Sequence, residues 1–268
     1  MSLFKCQLIR EERLFENMYM AEVKVINNSL PQTVGVIEGI QHDGEHFHFP
    51  IRYVKTSKDK GIYHLYYQIA TDKKNTYLPL NSQFNNSQIF ALEALDHALY
   101  QLKSPANKVL LFSDESALLD SLTIIDFLFL NKIETYLYIK TEQLQKETIN
   151  DLQQLLPKRI QSLSAISYQE VSPILAKQVI GTKLFISGGW PMVNELKDIA
   201  NSFGFSDDEI QVSGIGRKNE RIFCIKCYHI IRKKNDDEAT CENCNTTLDA
   251  STHFSKRHDA YLGYIKVE

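Results

Sequence analysis

The stretch VIGTKLFISGGWPMVNELKDIANSFGFSDDEIQVS, residues 179–213, decides the fold. Val179 to Ser187 is a short apolar run of strand character, and Gly188-Gly189 punctuates it at once. Pro191 suits a first helical turn, where a missing N–H removes no helix hydrogen bond. From there Met192, Val193, Leu196, Ile199, Ala200 and Phe203 recur at helical spacing and share one face. Gly204 supplies a C-terminal cap, and Glu209 to Ser213 reads as the next strand. A strand, a glycine turn and a helix N-terminus make an anion-receptive corner, because glycines admit close approach and the first helical N–H groups point outward. Gly188, Gly189 and Trp190 are therefore the candidate cofactor-binding residues, set against the plainer reading of a simple strand-to-helix connection.

Upstream the same texture continues. Lys108 to Phe112 is a strand candidate, Ser116 to Leu130 a helix rich in Leu, Ile and Phe, and Thr135 to Lys140 another strand. Thr141 to Leu156 reads as a polar helix that ends near Pro157. Strands alternating with helices imply right-handed crossovers and a parallel sheet. Residues 105–216 are thus expected to form one α/β domain. Before it, Val34 to Ile40, His46 to Lys55 and Gly61 to Ala70 are β-prone runs, separated by turn signals at His42 to Glu45 and Ser57 to Gly61. Asn81 to Gln88 is polar, and Ile89 to Leu102 is predicted to be a helix. Residues 1–104 are expected to make a small antiparallel β unit. His46 and His48 would share one face of a strand beside His42, but without a fourth ligand they read as surface histidines.

The tail, residues 217–268, has its own logic. Cys224, Cys227, Cys241 and Cys244 form CIKC and CENC with 13 residues between them, while Cys6 stands far away. A CxxC pair aims two sulfurs at one point from a tight turn, and two such turns complete a tetrahedron. Four thiolates need a compensating divalent cation. Residues 217–268 carry 10 Lys+Arg and 8 Asp+Glu, so a local charge of +2 meets the −2 of a metal tetrathiolate. Zinc is the expected ion because the gap matches small zinc ribbons and the segment is too short to bury a core. Iron in a rubredoxin-like site is the alternative, since four-sulfur tetrahedra suit both. A site filled by four cysteines has no open coordination position, so its expected role is structural or docking. The linker Tyr228 to Thr240 sets Arg232, Lys233 and Lys234 against Asp236, Asp237 and Glu238, which reads as a solvated hairpin tip.

Composition bounds the rest. In 268 residues, 30 Lys+Arg stand against 33 Asp+Glu, a net charge of −3 that argues against a nucleic-acid wrapper. The apolar and charged fractions, 43% and 24%, are ordinary for a globular chain. The longest strongly apolar stretch, Leu122 to Leu130, holds Asp126 and falls far short of the roughly 20 residues needed to span a bilayer. The first 20 residues mix both charge signs and lack a secretory pattern, so five cysteines are expected to stay reduced in the cytoplasm. There is no Ser/His/Asp constellation, no carboxylate pair and no P-loop, so an independent hydrolytic or phosphoryl-transfer site is not expected.

Two resemblances follow. Ser187 to Met192, SGGWPM, resembles the turn that closes the nicotinamide half of the ferredoxin reductase family, which implies a reductase-like domain and NADPH at Gly188, Gly189 and Trp190. In that family a glycine-rich turn also follows the first strand. Here that place reads Phe112-Ser113-Asp114-Glu115-Ser116, where two carboxylates would repel a pyrophosphate. Arg52-Tyr53 with Thr56-Ser57 is similar to the family's flavin motif, without its phosphate loop. Phe223 to Ile265, with both CxxC pairs, His253-Phe254-Ser255-Lys256-Arg257 and Ala260-Tyr261-Leu262-Gly263, is similar to the end of the dimethylamine monooxygenase A-subunit family. That resemblance implies a subunit of a multicomponent oxygenase that N-demethylates dimethylamine with O2 and NADPH. Haem, flavin and iron–sulfur centres would then sit on partner chains. The competing readings are a stand-alone rubredoxin-like electron carrier and a zinc-ribbon nucleic-acid module.

Overall fold

The computed structural model describes residues 2–56, 61–69, 79–83, 88–102, 105–140, 146–156, 159–216, 220–233, 238–255, 258 and 260–266. The expected turn at Ser57 to Lys60, the hairpin tip at Lys234 to Asp237 and the cations Lys256 and Arg257 lie outside them. The chain divides into two compact units, Met1–Ile215 and Gly216–Glu268.

The first unit begins with a barrel. Its elements are β1 (Ser2–Phe15), β2 (Met18–Val25), β3 (Val34–His42), β4 (Glu45–Phe47), β5 (Ile51–Lys55), β6 (Ile62–Gln68), the single-turn helix α1 (Leu80–Gln83) and β7 (Ile89–Ala98). The antiparallel order β3-β5-β6-β2-β1-β7 closes on itself because β7 also pairs with β3, and β4 hangs on β3 as a short hairpin. Closure removes the exposed edges that an open sheet would leave. The interior is aromatic: Tyr53, Tyr63, Tyr67 and Phe90 are fully buried among Leu8, Ile37, Ile51 and Leu65.

Two expectations change here. The run Ile89 to Leu102 is not a helix. Phe90, Leu92 and Ala94 point inward at period two, and pairing with both β1 and β3 outweighs the helix propensity of Ala, Leu and Glu. The expected strand His46 to Lys55 is two strands, because Pro50 interrupts the ladder between β4 and β5. The strands β1 and β2 went unread in the sequence; β1 shows inward Phe4, Cys6 and Leu8, but a bulge between Leu8 and Arg10 breaks the alternation.

The parallel sheet follows with β8 (Lys108–Ser113), a 3-10 turn at Glu115–Ala117, α2 (Leu118–Leu130), β9 (Glu134–Lys140), α3 (Lys146–Leu155), β10 (Ile160–Leu163), α4 (Tyr168–Leu175), β11 (Thr182–Gly189), α5 (Trp190–Ser202) and β12 (Ile210–Ile215). The order is β10-β9-β8-β11-β12, all parallel, so the winding reverses between β8 and β11. The expected strand from Val179 starts three residues late. Val179 and Ile180 are exposed at 71% and 97%, Gly181 turns the chain with φ +89°, and pairing with β8 begins at Thr182. The strand then runs through Gly188 and Gly189.

Alternate residues feed opposite cores. Val109, Leu111, Leu137, Ile139 and Phe185 face α2 and α3, whereas Leu110, Phe112, Leu184 and Ile186 face α4 and α5. Helix α2 is apolar almost all round because it lies between the sheet and the barrel, touching β5 and β6 on one side and β9 on the other. Its two carboxylates are accounted for. Asp120 accepts from Arg52 Nε at 2.5 Å, and Asp126 accepts from His64 Nδ1 at 2.6 Å and the Tyr66 hydroxyl at 2.9 Å. Arg52, the residue of the flavin-like motif, is thus engaged by α2.

The second unit is a small sheet of β13 (Arg221–Cys224), β14 (Ile230–Arg232), β15 (Glu238–Thr240), β16 (Thr247–Ser255) and β17 (Ala260–Ile265), in the order β14-β13-β17-β16-β15. Gly263 lets β17 pass close to β13, since a Cβ there would stand 2.5 Å from Ile222 Cγ2. Its core is Ile222, Ile231 and Leu248 with Cys224 and Cys241. No described helix is long and apolar enough to cross a membrane.

Candidate metal centre and glycine turn

The four tail cysteines come together. Each CxxC sits in the same turn. Cys224 donates its N–H to the His229 carbonyl and accepts from Tyr228 N–H; Cys241 likewise donates to the Thr246 carbonyl and accepts from Asn245 N–H. Tyr228 and Asn245, the equivalent residues, both take left-handed backbone, φ +63° and +52°. Asn tolerates that region and Tyr ordinarily avoids it, so the fold holds Tyr228 there against its preference.

The sulfurs all lie within 4.8 Å of one another, with Cys224 Sγ 3.8 Å from Cys244 Sγ and Cys227 Sγ 3.5 Å from Cys241 Sγ. A disulfide needs about 2.05 Å, so these are free thiols. A tetrahedron with metal–sulfur bonds of about 2.3 Å has edges of about 3.8 Å, close to the 3.8 and 3.5 Å of these two pairs. The thiols are pulled in opposite directions. Hydrogen bonding with Thr246 brings Cys244 down to about 6, Asn243 and the His229 backbone lower Cys227, and burial pushes Cys241 up to about 11. Backbone groups of Asn243 and Cys244 also hydrogen-bond to the Cys241 sulfur. Such donors are what a negatively charged sulfur cluster requires. Among the described residues, this is the one group of three or more His, Cys, Asp or Glu that could hold a metal ion. His46 and His48 are exposed and stack at 6.2 Å between ring centroids, and they make no such group.

The other expected site lies at the winding reversal of the parallel sheet. Trp190 opens α5, and its indole lies on the Gly214 backbone of β12, where a Cβ would stand 2.2 Å from a ring carbon. Gly188 has φ +153° and could not carry a side chain, since a Cβ would fall 2.5 Å from Asp114 Oδ2. Asp114, just after β8, fills the corner. Its Oδ2 accepts the Gly189 N–H at 2.8 Å, and its Oδ1 accepts the Ser116 N–H at 3.0 Å and the Ser116 hydroxyl at 2.5 Å. Sequence reading placed Asp114 in the region but did not connect it to Gly189, 75 residues away.

A closed antiparallel barrel followed by a five-stranded parallel sheet defines the class: the fold is ferredoxin-reductase-like. The phthalate dioxygenase reductase described as a modular structure for electron transfer from pyridine nucleotides to [2Fe-2S] superposes with TM-score 0.54 at 8% identity, over 86% of this chain and 76% of that one. The ferredoxin reductase in carbazole 1,9a-dioxygenase gives 0.53 at 13%, over 80% and 68%. Full-length CYP116B46 from Tepidiphilus thermophilus gives 0.50 at 10%, over 88% of this chain; the chain spans 33% of that protein's length. Residues 221–264 match the family described as dimethylamine monooxygenase subunit DmmA-like, C-terminal domain. No curated protein matches the chain by sequence.

Proposed function

We propose that the chain is the non-haem subunit of a multicomponent oxygenase, acting in the cytoplasm to assemble an electron-transfer complex through its reductase-like unit and its ribbon. The observation that carries this reading is the union, in one chain, of a ferredoxin-reductase-like unit with a four-cysteine segment matching the DmmA-like C-terminal domain. The reaction is N-demethylation of dimethylamine. One oxygen atom of O2 is inserted at a methyl carbon and leaves as formaldehyde with release of methylamine, the other oxygen becomes water, and NADPH supplies two electrons. Haem and the flavin iron–sulfur relay belong to partner chains.

Cys224, Cys227, Cys241 and Cys244 would hold zinc, which would offset half of the thiolate charge and tie both turns together. Filled by four sulfurs, the ion leaves no position for substrate. The ribbon then presents Phe223 stacked on His258 at 3.9 Å, with exposed Tyr228 6.0 Å from the Phe223 ring, as an apolar face for a partner. Purification from the native host tests the assignment. A haem protein and a flavin iron–sulfur protein should co-purify, and formaldehyde release from dimethylamine should require this chain. A lone monomer dispensable for demethylation would sink it. A coloured, iron-loaded protein would instead make the ribbon a rubredoxin-like carrier.

A further inference from the structure

The winding of an open parallel sheet marks where a ligand should enter: outside the carboxyl ends of the strands, where the order reverses. In this chain the order reverses between β8 and β11, where Asp114 after β8 meets Gly188 and Gly189 at the end of β11, just before α5. That position invites a pyridine nucleotide, and the phthalate dioxygenase reductase is described as a structure for electron transfer from pyridine nucleotides. The residues present do not fit one. Asp114 itself stands after β8, where a pyrophosphate would have to rest; its Oδ2 already takes the Gly189 N–H, and the other carboxylate oxygen is held by two bonds from Ser116. Asp114 is further tied by its main chain. Its N–H reaches the Ser187 carbonyl and its carbonyl accepts from Ala117 N–H and the Ser113 hydroxyl. Ser121 in turn donates to the Ser113 hydroxyl. Exposed Glu115 adds a second negative charge at the mouth.

We propose that Asp114 is a built-in anion that occupies the nucleotide corner of the reductase-like unit and closes it to pyridine nucleotides. The inference rests on the fold and on the contacts of one carboxylate, and it stands apart from the assignment of partners. It also deepens that assignment, because electrons must then enter the assembly through another chain.

The chain has a single tryptophan, Trp190, at the corner itself, so its fluorescence reports directly on occupancy. The full-length protein should show no saturable response to millimolar NADPH. Asp114→Ala removes the carboxylate and should bind NADPH at least about tenfold more tightly than the parent, a change that inorganic pyrophosphate reverses by competition. Asp114→Asn keeps the shape and one acceptor for Gly189 N–H, which protects folding. It should show a smaller gain, because the charge goes but the plug remains. Saturable NADPH binding by the unaltered chain would overturn the proposal. So would folded Asp114→Ala and Asp114→Asn proteins, verified by circular dichroism, that gain no affinity. Neither result would touch the co-purification test.

Discussion

The two compact units solve the stability problem by opposite means. Residues 1–215 bury rings such as Tyr53, Tyr63, Tyr67, Phe112 and Phe185 completely, on both sides of a sheet and inside a barrel. The ribbon has three aliphatic side chains and two buried cysteines for a core. Area alone gives so small a unit little stability, and its four converging thiols could hold an ion that cross-links two turns. The same element, cysteine, therefore means different things. In the barrel, Cys6 is fully buried and burial pushes its thiol far up, so it stays protonated and inert; in the ribbon, four thiols converge.

The largest test of that contrast is metal removal. Chelation, or Cys224→Ala with Cys241→Ala, should cost the ribbon on the order of 10 kcal/mol and unfold residues 216–268. Limited proteolysis should remove the tail while residues 1–215 keep their melting transition, and a thiol reagent should then titrate four cysteines in the chelated parent, or the remaining Cys227 and Cys244 in the double mutant, but not Cys6. A tail that stays protease-resistant without metal would erase the distinction.

Alkali should strike the other unit. Burial pushes Tyr53 and Tyr100 up to about 12, above the usual 10. A phenol whose folded value is raised contributes stability that is complete below pH 10 and lost as pH rises toward 12, because the unfolded chain ionises first. Each should cost on the order of 2 kcal/mol across that window. Unfolding of residues 1–215 followed against phenolate absorbance would check the sign; indifference up to pH 12 would contradict it.

A similar loss should follow Arg52→Ala. It strands Asp120, whose side chain is 6% exposed, and should destabilise the first unit by about 2 kcal/mol. Adding Asp120→Ala should recover part of the loss in a double-mutant cycle. The smallest effect separates the two turns of the ribbon. Tyr228→Asn copies Asn245 and relieves left-handed strain, raising ribbon stability by up to about 1 kcal/mol in chelator competition, with no effect on the first unit.

What could be read from sequence was whatever is written locally. The cysteine turns carry their geometry in a four-residue spacing, and the corner before α5 announces itself by glycines, proline and a helical stripe. Ile89 to Leu102 misled because its residues favour helix, and only partners at least 50 positions away, on β1 and β3, make it a strand. Asp114 and Asp120 were legible as residues but not as contacts. A hydrogen bond to Gly189 or an ion pair with Arg52 is a property of the folded chain. Asp120 and Asp126 did leave a trace in LLDSLTIIDFLFL, since two carboxylates in so apolar a helix require polar partners.

Helix α2 carries a mechanical consequence. Because it is pressed between barrel and sheet, and its two aspartates grip Arg52, His64 and Tyr66, neither layer can swing without breaking these part-buried contacts. A force delivered to the barrel by a neighbouring protein is passed through a stiff strut to the sheet. Distances between anything seated on the two layers are therefore set at folding, as on a ruler rather than a hinge.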